Sequence, residues 1–420
     1  MIEQIKTPKG MPDILPEDQI YWEKVYQVGR KIAKLYDFSY IEPPVLEFAK
    51  LFELSLEKSS EIVEKQMFVF KTKGGKRLAL RPEITASIVR AYLQHHLGHH
   101  TNPVRAFYYG PVFRYERPQL GRYRQFRQLG YEILGEKSFL WDAQVILIAL
   151  NYLNQLKLSN LKLEINTIGC RDCRADYRKA LVKYYRRHRK ELCPTCQKNL
   201  ERNPLRILDC KQESCQSLKY SAPSIFDYLC SECSKHFKGV LESLEEDKLE
   251  YILNPFLVRG LDYYNRTVFE ISTEGYSPAL AGGGRYDYLG KILGSKKEVP
   301  AVGVAIGLER VIEALKSAGV KFKSKSPQLF VATVGKKAQR ASLALMEEIR
   351  QAGIAVIDGL EKKSLRAQLE KANKRNVPWT IIIGQKEVYE QTVIIRDMNS
   401  GIQEVVPRNK LIQELRKRIK

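Results

Sequence analysis

Apolar positions recur at helical spacing through IYWEKVYQVGRKIAKLY (20–36), and Pro16, Glu17 and Asp18 before them suit a helix start. SYIEPPVLEF (39–48) reads as extended but is broken by Pro43 and Pro44, which predicts an edge or interface strand. QMFVF (66–70), a KGGK turn (73–76) and RLALRP (77–82) alternate as a hairpin. It leads into a helix, ITASIVRAYLQHH (84–96), with Glu83 where strand turns to helix and Gly98 placed to stop it. Alternation returns in RAFYYGPVF (105–113) and QFRQLGYEIL (125–134), with Pro118 and Gly121 as turn residues between them. WDAQVILIALNYLNQL (141–156) is apolar on nearly every side and predicts a buried helix, followed by a strand at 161–169. From 170 to about 245 the text changes to cysteines, a basic run and polar helices, the mark of an insertion. Strand-like text resumes at 250–273, then a glycine-rich stretch at 281–284, then GVAIGLERVIEAL (303–315), a strand running into a helix. KSAGVKFKSKSP (316–327) reads as a charged linker. Beyond it, strands at 328–334, 354–359, 379–384 and 391–397 alternate with helices at 337–352 and 364–376, and a closing helix spans 408–418, which makes a small α/β domain.

The hairpin at 105–134 carries the densest chemistry. Its connection, FRYERPQLGRYRQFRQLG (113–130), sets arginines 114, 117, 122, 124 and 127 among Tyr115, Tyr123 and Phe126, with Glu116 as the only acid. Guanidinium forks grip phosphate bidentately and aromatic faces stack on bases, so the pattern points to a nucleotide. A self-solvating cationic hairpin would explain the arginines but not their interleaving with aromatics.

Composition narrows the partners. At 420 residues and 44% apolar, the chain can bury large cores and divide into two or three domains. A net charge of +22 favours a polyanionic partner. No run of 18 apolar residues occurs and MIEQIKTPKG lacks the core of a secretion signal, so a cytoplasmic protein is expected. The eight cysteines fall in pairs, Cys170/Cys173, Cys193/Cys196, Cys210/Cys215 and Cys230/Cys233, and three pairs have the C-x2-C spacing that turns two thiolates onto one zinc. They suit one or two structural zinc sites, and redox sensing is the alternative. Residues 171–206 hold twelve Lys/Arg against four Asp/Glu, which suits RNA or a merely solvated face.

FRYERPQLGRYRQF, together with LRPEITA (80–86), RGLDYYNRTVFE (259–270), AGGGRYDYL (281–289) and AIGLER (305–310) in that order, resembles the motifs of histidyl-tRNA synthetases, members of class II. The similarity covers nearly the whole chain. It implies an α+β catalytic domain on a mixed, mainly antiparallel sheet (1–169 and 246–320), a cysteine-rich, mostly helical insertion (170–245) and a C-terminal α/β anticodon-binding domain (327–420). It also implies a homodimer that takes L-histidine, ATP with Mg2+, and tRNA(His). By this resemblance Arg114 and Arg259 approach the α-phosphate, and Arg310 and Arg122 hold the β- and γ-phosphates. Phe126 lies under the adenine with Glu116 at its edge, and Arg117 and Gln119 meet the tRNA acceptor end. Glu132 and Tyr264 belong to the imidazole end, Glu83, Thr85 and Gln128 to the α-amino end, Tyr263 is a further histidine-binding residue, and Gly282, Gly283 and Gly284 permit close approach to substrate. The chain departs from the pattern at Ile84 and Tyr288, where the family has glycine, and at Arg127, where histidine is common.

HHLGHH (95–100) and KFKSKS (321–326) echo the HIGH and KMSKS signatures of class I synthetases, but one ends a helix and the other lies in a linker. The four histidines there read as helix-end cations. Two rivals share the resemblance: a catalytically silent paralogue, such as the synthetase-like regulatory subunit of ATP phosphoribosyltransferase, and a zinc-dependent RNA-binding protein. The retained Arg114, Arg259 and Arg310 and the domain at 327–420 argue against the first.

Overall fold

The computed structural model describes residues 4–56, 62–322, 327–361 and 364–419, in two compact units, Met1–Phe322 and Lys323–Lys420. In the first unit the strands are β1 (Ser39–Tyr40), β2 (Leu46–Phe48), β3 (Val69–Lys71), β4 (Arg77–Leu80), β5 (Val104–Phe113) and β6 (Gln125–Leu134). They continue with β7 (Leu161–Thr167), β8 (Ile252–Leu253), β9 (Asn265–Thr273), β10 (Tyr276–Arg285) and β11 (Ala301–Gly307). Eight form one sheet in the order β1-β5-β6-β11-β10-β9-β7-β8, while β2-β4-β3 make a small second sheet. Every pairing inside the large sheet is antiparallel, and the two parallel pairs, β1 with β5 and β7 with β8, sit at its edges.

Alternation along the strands builds a different core on each face. Phe107, Leu129, Tyr131, Val302, Val304 and Ile306 face helices Gln19–Leu35, Leu140–Gln155 and Leu308–Ser317 in the larger core. Tyr108, Val112 and Leu134 point the other way, into a core shared with Tyr263, Tyr264 and Tyr286. That second face holds the site.

The predicted hairpin is present over its full length, paired from Val104↔Leu134 to Phe113↔Gln125. The glycine-rich stretch at 281–284 lies in β10, paired with β9 and β11. Three expectations need correction. The text at 250–273 is strand only at β8 and β9, with an irregular loop between. The helix expected to run to His96 ends at Gln94, and His96, at φ 51°, makes the left-handed stop. Gly98 instead makes room for Tyr92, whose hydroxyl would lie 2.2 Å from a Cβ there. The expected linker also starts late, because Val320 and Phe322 still pack on the first unit, where the Tyr21 hydroxyl donates to the Val320 carbonyl at 3.0 Å. Part of that linker, 323–326, lies outside the described residues.

Residues 170–245 fold as helices Arg171–Arg187, Pro194–Arg202, Glu213–Lys219 and Ser231–Glu246, with a small core of their own around Tyr177, Leu181, Tyr185, Leu200 and Ile207. The last helix is shared, since its Phe237, Val240 and Leu244 belong to the large core. In the second unit β12 (Leu329–Thr333), β13 (Val356–Asp358) and β14 (Trp379–Ile383) pair in parallel, and β15 (Thr392–Asp397) and β16 (Gln403–Pro407) extend the sheet antiparallel. The fifth strand, mostly exposed, was not anticipated.

Candidate active site

An open cleft of about 1060 Å³, its solvent-filled mouth included, lies on the second face of the large sheet, between the β5–β6 connection, the loop before β9, and the junction of β11 with the helix Leu308–Ser317. Small residues make the space: Gly282 in β10, and Ala305 and Gly307 in β11, line it, while the intervening Val304 and Ile306 fill the opposite core. The sequence motifs contribute Arg114, Arg122, Phe126, Gln128, Arg259, Tyr263, Tyr264, Arg310, Glu83, Thr85 and Glu116 to its walls.

The three arginines arrive from separate elements. Arg114 leaves β5, donates through Nε to the Pro82 carbonyl at 2.9 Å, and lies 5.3 Å from the Phe126 ring centroid. Arg310 donates to the carbonyls of Gly121 and Ala279, both at 2.9 Å, tying the connection to β10. Burial lowers the pKa of both guanidiniums, which nonetheless stay charged in any accessible pH range. Arg259 is paired with Glu270, and this pairing explains a glycine. Gly282 stands directly across from Glu270, and a Cβ there would fall 2.4 Å from the Arg259 guanidinium. Close approach at Gly282 is therefore made by the arginine, and Gly283 and Gly284 serve strand packing against Gly303 and Thr267.

Several polar atoms of the cavity walls are buried without partners. One Glu83 oxygen accepts from the Ala86 backbone at 2.9 Å, at the start of helix Thr85–Gln94; the other is buried without a partner, as are Gln128 Oε1, the Tyr263 hydroxyl and Arg259 Nε. Orphaned buried polar atoms are unfavourable unless a ligand meets them. Glu132 is placed differently: it does not line the cavity but lies beneath its wall, accepting from Thr85 (2.7 Å), Tyr108 (3.1 Å) and Tyr286 (2.5 Å). Gly303 makes room for it, since a Cβ there would lie 1.5 Å from the carboxylate.

Of the five arginines in the hairpin, only Arg114 and Arg122 reach the cavity. Arg124 stacks on Tyr115 at 3.9 Å, Arg127 stacks on Trp22 at 4.9 Å and meets Glu309, and Arg117 and Gln119 are exposed at the tip. The departures at Ile84, Arg127 and Tyr288 all stay off the cavity wall. Sequence reasoning missed Glu270, Tyr286 and Tyr108, although the first two stand inside quoted motifs. It also missed a buried network in which Arg285 is bonded to Asp142 and Asp287, with His236 at 3.2 Å from Asp142.

The cysteines segregate into two sets, Cys170, Cys173, Cys230 and Cys233, and Cys193, Cys196, Cys210 and Cys215, each with all sulfurs within 4.8 Å of one another. Four thiolates on a tetrahedral zinc stand about 3.8 Å apart, given bonds near 2.3 Å. Sulfur separations of 3.5 Å for Cys170–Cys173 and 3.9 Å for Cys193–Cys210 fit that geometry.

Beside the cavity lies another of about 990 Å³, lined by Arg171, Arg174, Arg178, Arg202 and Arg206 of the insertion and by Arg259. Asp262 is the one carboxylate on its wall. No helix among the described residues is long and apolar enough to cross a membrane.

Comparison with known proteins agrees with this geometry. A family model described as histidyl-tRNA synthetase matches residues 10–311, and one described as anticodon binding domain matches 328–418. The chain is 44% identical over 417 residues to a histidine–tRNA ligase of Dehalococcoides mccartyi, covering 99% of this chain and 100% of that protein. It is 41% identical to one of Halothermothrix orenii, covering 98% and 99%. The crystal structure of apo histidyl-tRNA synthetase from S. aureus superposes with a TM-score of 0.82 at 31% identity, covering 98% of this chain and 99% of that one.

Proposed function

Because the chain belongs to the histidyl-tRNA synthetase family, we propose that the large cavity activates L-histidine with ATP and delivers the histidyl group to tRNA(His). The reaction is attack of the histidine carboxylate on the α-phosphate, releasing diphosphate, then attack of a ribose hydroxyl on the adenylate, releasing AMP. Both steps place charge on phosphoryl or carbonyl oxygens, which fixed cations stabilise in a site that excludes water. One observation carries the reading: three guanidiniums from distant segments line a single cavity together with the unpartnered oxygens of Glu83, Gln128 and Tyr263.

In this reading Arg114 and Arg259 flank the α-phosphate, while Arg310 and Arg122 hold the outer phosphates of ATP, which enters with Mg2+. Phe126, backed by the Arg114 guanidinium, stacks under adenine with Glu116 at its edge. The free oxygens of Glu83 and Gln128 receive the α-ammonium, and Tyr263 and Tyr264 face the imidazole. Glu132 acts on the imidazole end chiefly by orienting Thr85 and Tyr286. Exchange of labelled diphosphate into ATP, run with each of the twenty amino acids, tests this: histidine alone should support it, and charging should be confined to tRNA(His). Exchange supported equally by another amino acid would refute the assignment.

Burial pushes the Glu83 and Glu132 carboxyls up from 4.5 to about 7. The empty fold thus holds extra protons, so their contribution to its stability is full below the ordinary value of 4.5 and is lost as pH rises through 7. Ligand affinity runs the other way, because the α-ammonium favours ionised Glu83. Histidine binding near pH 7 should therefore release protons, and Glu83→Gln should reduce that release as well as the affinity. Calorimetry in buffers of different ionisation enthalpy measures the release; an unchanged value in the variant would remove Glu83 from this role.

The arginine-lined second cavity supports entry of the tRNA acceptor end from the insertion side, and the exposed Arg117 and Gln119 at the hairpin tip are read as further contacts to it. The second unit, as an anticodon-binding domain, takes the opposite end of the tRNA. Each four-cysteine set is read as a structural zinc site, which would clamp helix ends where the insertion core is small. A homodimer belongs to this reading and is supported by exposed Leu46, Phe48, Val69 and Phe70 on the small sheet. A cytoplasmic location belongs to the same reading.

A further inference from the structure

The insertion grips the imidazole end of the cavity through a segment rooted in cysteine. Cys170 caps the helix Arg171–Arg187 and Cys230 caps the helix Ser231–Glu246, and Cys173 Sγ accepts the Cys230 backbone N–H at 3.1 Å. The segment joins the end of β7 tightly: Gly169, at φ 65°, would place a Cβ 2.6 Å from that of Cys173, and its carbonyl accepts from Arg266 at the start of β9 at 2.9 Å. One turn into the first helix, Arg174 donates to the Tyr264 carbonyl at 3.0 Å, and the neighbouring Arg171 guanidinium lies 4.2 Å from the Tyr288 ring. Tyr264 itself lines the cavity.

We infer that the set Cys170, Cys173, Cys230 and Cys233, holding zinc, is a positioning site for amino-acid recognition: the ion fixes the first turn of the Arg171–Arg187 helix, and Arg174 transmits that position to Tyr264. The inference rests on reading the cavity as the histidine site. Four sulfurs within 4.8 Å make only weak S–H bonds to one another, whereas four bonds to one ion hold both helix ends rigidly. A recognition group displaced by a fraction of an ångström loses much of its binding. The route is specific, since Arg174 bonds the Tyr264 backbone and does not line the first cavity, and it predicts an effect on histidine that ATP does not share.

Metal content is measured on purified protein, which is then compared, zinc-loaded and chelator-stripped, for histidine binding by calorimetry and for the KM of histidine and of ATP in exchange. Stripping should weaken histidine roughly tenfold or more, with a far smaller change for ATP, and added zinc should restore it. In case stripping unfolds the insertion, Arg174→Ala with its metal retained should reproduce the loss, Arg174→Lys should recover part of it, and stripping Arg174→Ala should add little. Histidine affinity unaltered by stripping, full affinity in Arg174→Ala, or purified protein without metal at this set would each overturn the proposal. Calorimetry decides it even where exchange is absent, so failure of the coupling and failure of the ligase reading are separate results.

Discussion

Arg259→Ala should eliminate histidine-dependent exchange of diphosphate into ATP, lowering it by roughly a thousandfold or more, the scale on which a transition-state arginine acts in phosphoryl transfer. A thousandfold corresponds to about 4 kcal/mol on the barrier. The structure gives two reasons for so large an effect. The Arg259 Nε is buried without a partner, and the sheet has been hollowed at Gly282 to admit its guanidinium. Lysine should not substitute, because a point charge cannot hold Glu270 and a phosphate oxygen as a planar fork does. The fold should survive, since Glu270 is partly exposed and water can replace its partner. Exchange assays with a melting curve on the same preparation check this: exchange near the wild-type rate would remove Arg259 from the chemistry, and a variant that fails to fold would show that the residue serves structure.

Most of the framework could be read from alternation, because β5 and β6 are buried on both faces by different cores and their side chains must switch sides at each residue. Glu83, Arg114, Arg259 and Arg310 were legible through the motifs that carry the resemblance; Glu83, Arg114 and Arg310 also stand at element ends, while Arg259 lies within the loop between β8 and β9. The strand that holds the glycines of β10 left little trace in the sequence: a run of Gly normally weakens a strand, and only the tertiary approach of Arg259 and the neighbouring strands makes it necessary here. A usable signal was nonetheless present in AVGVAIG, where large and small residues alternate and the small face becomes the cavity wall. The cysteine spacing revealed pairs but not which pairs join, and the structure nests Cys193, Cys196, Cys210 and Cys215 inside the span closed by Cys170/Cys173 and Cys230/Cys233. Arg285 and Asp142 were invisible, because an ion pair 143 residues apart leaves no periodic trace in the sequence.

That pair should yield the largest stability effect in the chain. Asp142→Ala is expected to destabilise the first unit by about 3–5 kcal/mol, the range for removing one partner of a buried ion pair. Asp142 and Arg285 are both fully buried, and the loss would strip bonds from Nε and Nη2 of Arg285 while His236 also loses its acceptor. Asp287, at 3.0 Å, compensates only one edge of the guanidinium. Burial pushes the Asp142 carboxyl up, but Arg285 and His236 pull it well below the usual carboxylate range. A depressed carboxyl pKa contributes fully above its unfolded value near 4 and is lost as pH falls beneath that value. The stability gap between wild type and Asp142→Asn should therefore be constant from neutral pH down to about 4 and narrow only in stronger acid. Urea unfolding followed by aromatic fluorescence across that range measures the gap. A variant within 1 kcal/mol of wild type at neutral pH would mean that Asp287 and the surrounding carbonyls of Glu136 and Ser138 satisfy the buried guanidinium by themselves.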